Sequence, residues 1–193
     1  MSVLPSEPSV SPQAAPLRRL GLYDTWWTVA AAALAACLGL AACAWISAHL
    51  HVDAALHTVA LFAHLASLVL GFGAVLVADY WALLWLTGRC TLHDALTSTA
   101  RLHVPIWTGL AGLVVSGVML QPDLGSAPTR IKLGLVLALT LNGFQAGLLN
   151  RRMTQRNTTA LTTRLLARAA TTALVSQACW WGAVLIGFRN SRH

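Results

Sequence analysis

The sequence predicts an all-α protein, a polytopic membrane helical bundle of five transmembrane helices, from three observations. Five apolar stretches between Thr28 and Gly187 are each long enough to cross a bilayer, because a hydrocarbon core of about 30 Å takes roughly 20 helical residues. Hydrophobic residues make up 56% of the chain, charged residues only 10%, and the mean hydropathy is +0.64, values that exclude an ordinary water-soluble domain. Basic residues cluster in alternate loops, as they do in multi-pass proteins. Five crossings and their loops consume nearly all of the 193 residues, so no second folded domain is expected.

Residues 1–25 read as a disordered, Pro-rich cytoplasmic tail. Pro5, Pro8, Pro12 and Pro16 stand among Ser, Ala and Gln, a composition that cannot bury enough apolar surface to fold. The five-helix domain is expected over residues 26–188 and a short external tail over 189–193. Trp26 and Trp27 open span one as interfacial aromatics, and the span runs to about His49. Within it, Leu34-Ala35-Ala36-Cys37 and Leu40-Ala41-Ala42-Cys43 look like lipoprotein processing boxes. Cleavage there would remove the span, and the abundance of Ala and Leu makes chance occurrence the plainer reading. Span two is expected from Ala55 to Leu86, with Asp79 marking its cytoplasmic exit because a deeper carboxylate is costly in lipid. Spans three, four and five are expected over Val104–Leu120, Ile131–Leu149 and Leu166–Phe188. The stretches 79–103 and 150–165 are read as the longer cytoplasmic connections, and Gln121-Pro122-Asp123-Leu124-Gly125 as a turn. Small residues four apart, Ala63, Ser67 and Gly71, then Gly112 and Ser116, then Gly143 and Gly147, favour close helix approach in lipid.

The net charge of +7 is explained by topology and anionic headgroups rather than by nucleic acid. Arg18, Arg19, Arg89, Arg101, Arg151, Arg152, Arg156, Arg164 and Arg168 fall on one side of the predicted membrane, and Arg130, Lys132, Arg189 and Arg192 on the other. This places the N-terminus in the cytoplasm and the C-terminus outside. One Lys against twelve Arg, with abundant Ala, points to GC-rich coding and a bacterial inner (plasma) membrane. Arg130 and Lys132 sit at the positive end of span four, where they could attract an anion or lipid phosphate; pairing with Asp123 is the plainer account.

Histidines and amides are the remaining chemistry. His49, His51, Asp53 and His57, in or near the first external loop, carry ligand types suited to copper or zinc, against the commoner case of exposed loop histidines without metal. His64 lies two helical turns below His57 on the same face, and an ionisable group inside a span is a functional candidate. A b-type haem held by two histidines is its sharp version. His103 is the obvious second ligand, but helical rise puts it about 18 Å away along the membrane normal. Cys43, Cys179 and Met119 match the outer half better. Ser67, Asn142 and Gln177 fall near one level at mid-membrane, where they either hydrogen-bond across helices or form a polar waist for transport. No serine triad, phosphate loop or dinucleotide fingerprint is visible.

The run from His64 through Gly71 and Gly73, then Trp107, Gly109, Ser116 and Gly117, then Lys132 to Asn142 and Gly143, resembles small bacterial membrane proteins distantly similar to the copper-resistance D family. The resemblance covers about residues 57–147 and implies an inner-membrane helical bundle linked to copper or haem. Two readings follow. One is a haem- or copper-linked binding or redox bundle with His64 and His57 as cofactor ligands. The other is a non-catalytic subunit that packs with a membrane-protein partner or a second copy.

Overall fold

The computed structural model describes residues 26–155 and 163–190; the expected Pro-rich tail and Arg156 lie outside the described residues. Five helices follow one another: α1 (Trp26–His49), α2 (Ala54–Leu86), α3 (Leu92–Met119), α4 (Ala127–Gln155) and α5 (Thr163–Asn190). Each is long and apolar enough to cross a membrane, so the chain is a multi-pass membrane bundle. The outer surface agrees with lipid as solvent. Phe62, Val69, Val104 and Leu174, all more than 70% exposed, would be a severe aggregation liability in water.

Local chemistry sets the helix ends. The Asp53 carboxylate accepts from the Leu56 N–H at 2.7 Å and caps α2, as an N-cap aspartate does. At the other end Gly88 adopts φ 71°, while the Arg89 N–H reaches the Leu84 carbonyl at 2.8 Å and the Gly88 N–H the Trp85 carbonyl at 3.0 Å. That pair of bonds is a Schellman stop, which needs a left-handed residue that glycine adopts without strain. Three residues later, Thr91 and Asp94 form a reciprocal capping box. The helix it starts, α3, begins twelve residues before the expected Val104, so much of the stretch read as a cytoplasmic connection is helical. Pro105 is accommodated inside it. α4 and α5 likewise extend beyond their expected ends, to Gln155 and Asn190.

α2 packs chiefly on α3 and α4 on α5; α1 rests against α3 and α4. The α2–α3 seam is antiparallel and built from small residues. A Cβ added to Gly109 would collide with the Gly71 backbone and lie 2.8 Å from the Ser67 carbonyl, and one on Gly112 would meet the Ser67 side chain. Backbones approach this closely only where side chains are absent or minimal, which is how lipid-embedded helices gain dispersion energy without a hydrophobic driving force. Ala63, expected in the same set, is exposed. Ser67, Gly71, Gly112 and Ser116 do face the seam. The two helix pairs meet through a core of Val75, Leu110, Leu139, Cys179 and Trp180. Trp180, only 2% exposed, stacks on Phe72 at 5.6 Å between ring centroids, while Trp107 stacks on Phe144 at 5.2 Å beside Gly143.

Gly109→Ala is expected to push α2 and α3 apart and to destabilise the detergent-solubilised protein by about 1–3 kcal/mol. Gly73→Ala, with nothing within 4 Å of the added methyl, is expected to be neutral or stabilising by up to about 1 kcal/mol. Equal unfolding midpoints for the two variants would contradict the seam.

Candidate functional site

Two partly open cavities meet at the core. The larger, about 450 Å³, draws on all five helices and is walled mainly by Leu, Val and Ala, with Ser47, His64, Thr129 and Lys132 as its polar members. The smaller, about 280 Å³, carries Asp79, His103, Asn142 and Thr172. Leu110, Leu139 and Trp180 line both and separate one from the other.

His64 is placed by the α2–α3 seam, one turn from Ser67. Its Nδ1 lies 2.9 Å from Ser116 Oγ, and Ser116 Oγ lies 2.5 Å from the Gly112 carbonyl. A carbonyl can only accept, so the single hydroxyl hydrogen of Ser116 goes to Gly112 and the imidazole must donate from Nδ1. The tautomer follows from these contacts: Nε2 carries the lone pair, on a ring that lines the larger cavity. Gly117 passes close to the same ring, where an added Cβ would stand 3.7 Å from Cε1. An anchored Nδ1–H that presents Nε2 is the arrangement of a metal-ligating or hydrogen-bond-accepting histidine.

Cys43 and Cys179 line this cavity with His64, but their atoms do not assemble into a ligand cluster. Among the described residues no three His, Cys, Asp or Glu side chains come close enough to hold a metal ion. The loop candidates are dispersed in the same way. Asp53 caps α2, His49 Nδ1 bonds the Trp45 carbonyl at 2.8 Å, and His51 and His57 are exposed. His57 shares a helix with His64, yet only His64 turns into the bundle. His103 lines the other cavity, so the two histidines have Trp180 between them and no common ligand position. Copper or zinc held by three or four protein donors therefore does not fit these residues. His64, with its ring anchored and apolar walls around it, is left as the single histidine of the larger cavity among the described residues.

The three mid-membrane polar residues are not brought together. Ser67 packs in the α2–α3 seam. Asn142 Nδ2 donates to the Thr172 carbonyl at 2.8 Å, joining α4 to α5. Gln177 Nε2 donates to the Asp79 carboxylate, joining α5 to α2, and its Oε1 accepts from Trp181 Nε1 at 3.0 Å. Asp79, expected at the cytoplasmic exit of span two, is half-buried within α2 and held by that amide. No shared polar waist results.

Lys132 differs from its expected role. The Asp123 carboxylate accepts from the Gly125 N–H at 2.9 Å and pairs with neither Arg130 nor Lys132. Lys132 turns inward to the larger cavity, its Nζ 3.7 Å from where a Cβ on Gly187 would stand, near the end of α5. Ser47 and Trp180 also line that cavity, but Ser47 Oγ and Trp180 Nε1 are themselves sealed off, with no hydrogen-bond partner among the described residues. The sequence offers no signal for Ser47 or Trp180, because neither belongs to a spaced motif and both become notable only by burial.

Asn142→Leu removes one interhelical bond and is expected to cost about 0.6–2 kcal/mol. Gln177→Leu is expected to cost more, because it leaves the Asp79 carboxylate inside the bundle without a donor, and adding Asp79→Leu should recover part of the loss. A double-mutant cycle by unfolding in detergent checks this; strictly additive effects would show that the two side chains do not interact.

Comparison with protein-family models, curated proteins and solved structures finds no match to this chain, and the copper-resistance D resemblance stands on the residues quoted for it alone.

Proposed function

We propose that this protein is a ligand-holding membrane bundle. Its larger cavity takes a mostly apolar molecule, and His64 Nε2 ligates or hydrogen-bonds the polar centre of that molecule. The observation that carries the reading is the pair of bonds through Ser116, which fixes the imidazole tautomer and leaves an acceptor nitrogen on a ring of the cavity wall. A volume of about 450 Å³ lies in the range of sites for drug-sized ligands, and a mainly apolar wall with a few polar groups is their usual composition. Were the molecule haem b, His64 would hold its iron, Ser116 would orient the imidazole, and the haem would supply one-electron chemistry. The second reading, a non-catalytic packing subunit, accounts for the His64–Ser116 bond but gives no role to the apolar cavity or to Lys132 on its wall.

The same proposal places the bundle in a bacterial inner membrane with the start of α1 in the cytoplasm. Arg89 and Arg101, near the α2–α3 turn, and Arg151, Arg164 and Arg168, flanking the α4–α5 connection, supply the positive-inside signal.

Hemin added to the purified protein in detergent is expected to give a stoichiometric Soret band. His64→Ala should abolish it, and Ser116→Ala should weaken binding by about 10–100-fold through the lost orientation of the ring. Absence of the band, together with no retained small molecule in native mass spectra of the wild type, would overturn the ligand-holding reading.

A further inference from the structure

Lys132 is the charged side chain among the described residues that line the larger cavity. Lys132 can only donate. Among the described residues it pairs with no carboxylate, Asp123 being held by its own turn, and its ammonium stands near the end of α5, where the last carbonyls carry partial negative charge. The Trp180 indole N–H and the Ser47 hydroxyl have no partner among the described residues, but both atoms are sealed from the cavity space and offer its occupant no contact as the helices stand. Ser47 and Trp180 are 6% and 2% exposed, so water at the outer surface does not satisfy them. The walls between these groups come mainly from aliphatic side chains of all five helices. A half-buried cation on the wall of an apolar cavity suits a molecule with an anionic end and a hydrocarbon body.

We propose that the ligand of this cavity is an anionic amphiphile whose carboxylate or phosphate head pairs with Lys132 and whose apolar body lies among the aliphatic side chains facing His64. The inference deepens the ligand-holding reading and rests on it. It adds a site of stated chemistry: one negative head, recognised by a lysine inside a membrane helix where an uncompensated cation is costly. Such molecules come from two sources, free long-chain carboxylates and single-chain phospholipids, and the shared head chemistry is what the residues recognise. Lys132→Met keeps the aliphatic stem and removes the charge, and Lys132→Arg restores it.

The test is binding of three probes to the full-length protein in lipid nanodiscs, measured by native mass spectrometry: oleate, oleoyl lysophosphatidic acid and the neutral oleyl alcohol. Oleate or the lysophosphatidic acid is expected to bind on the order of tenfold to a hundredfold more tightly than the alcohol, and which of the two binds names the source. Lys132→Met should erase the preference, and Lys132→Arg should retain most of it. Equal binding of oleate, lysophosphatidic acid and alcohol to the wild type overturns the proposal. So does an unchanged preference in Lys132→Met, which would show that Lys132 only caps α5. If Lys132→Met does not fold, the wild-type comparison of charged and neutral heads decides alone. Hemin or the alcohol binding in a His64-dependent way with no charge preference would sink this inference and leave the ligand-holding reading standing; no probe and no hemin binding would remove both.

Discussion

The contact on which the bundle depends is the close approach of α2 and α3 at Gly71 and Gly109. In lipid there is no gain from hiding one hydrocarbon surface against another, so association must come from dispersion at short range and from hydrogen bonds. The glycine pair brings the backbones together, Ser67 fills the space beside Gly112, and one turn further His64 reaches Ser116. The same seam that holds the helices thus also orients the imidazole. A bulkier residue at 109 would move the ring as well as the helix, which makes structure and site hard to separate at this position.

Around that seam the polar groups divide into two kinds. Asn142, Gln177, Asp79 and Gln121 tie one segment to another: Gln121 stands in a left-handed conformation at φ 46° at the end of α3, a position that disfavours residues with a Cβ, and its amide reaches back to the Leu50 carbonyl between α1 and α2. Lys132, Ser47 and the Trp180 indole point to the second kind, groups whose capacity the protein does not itself use. The distinction matters because a buried polar group without a partner costs more than a satisfied one contributes.

The five helices were legible from hydropathy alone, because about twenty apolar residues in a row have few alternatives in lipid. Their ends were less so. The start of α3 at Leu92 was missed because Arg101, His103 and Pro105 interrupt the apolar pattern, although Thr91 and Asp94 spell a capping box that a search for helix starts would have found. Depth counting along the helices placed Cys43, Cys179 and His64 at one level, and the larger cavity does contain all three. It also set His103 apart from His64, and the two line different cavities. The count was less good for Ser67, Asn142 and Gln177, placed at one level: Gln177 bonds Asp79, about 18 Å along α2 from Ser67, and the three face different interfaces, while His57 shares a face with His64 yet remains exposed. Lys132 was assigned to Asp123 because both stand at one helix end, whereas the aspartate is taken by its own turn at Gly125.

The position of Trp180 bears on whether the two cavities could act as one. The indole, with Leu110 and Leu139, lines both. Apolar constrictions resist wetting, so a polar solute in one cavity would meet a barrier at this ring before it reached the other.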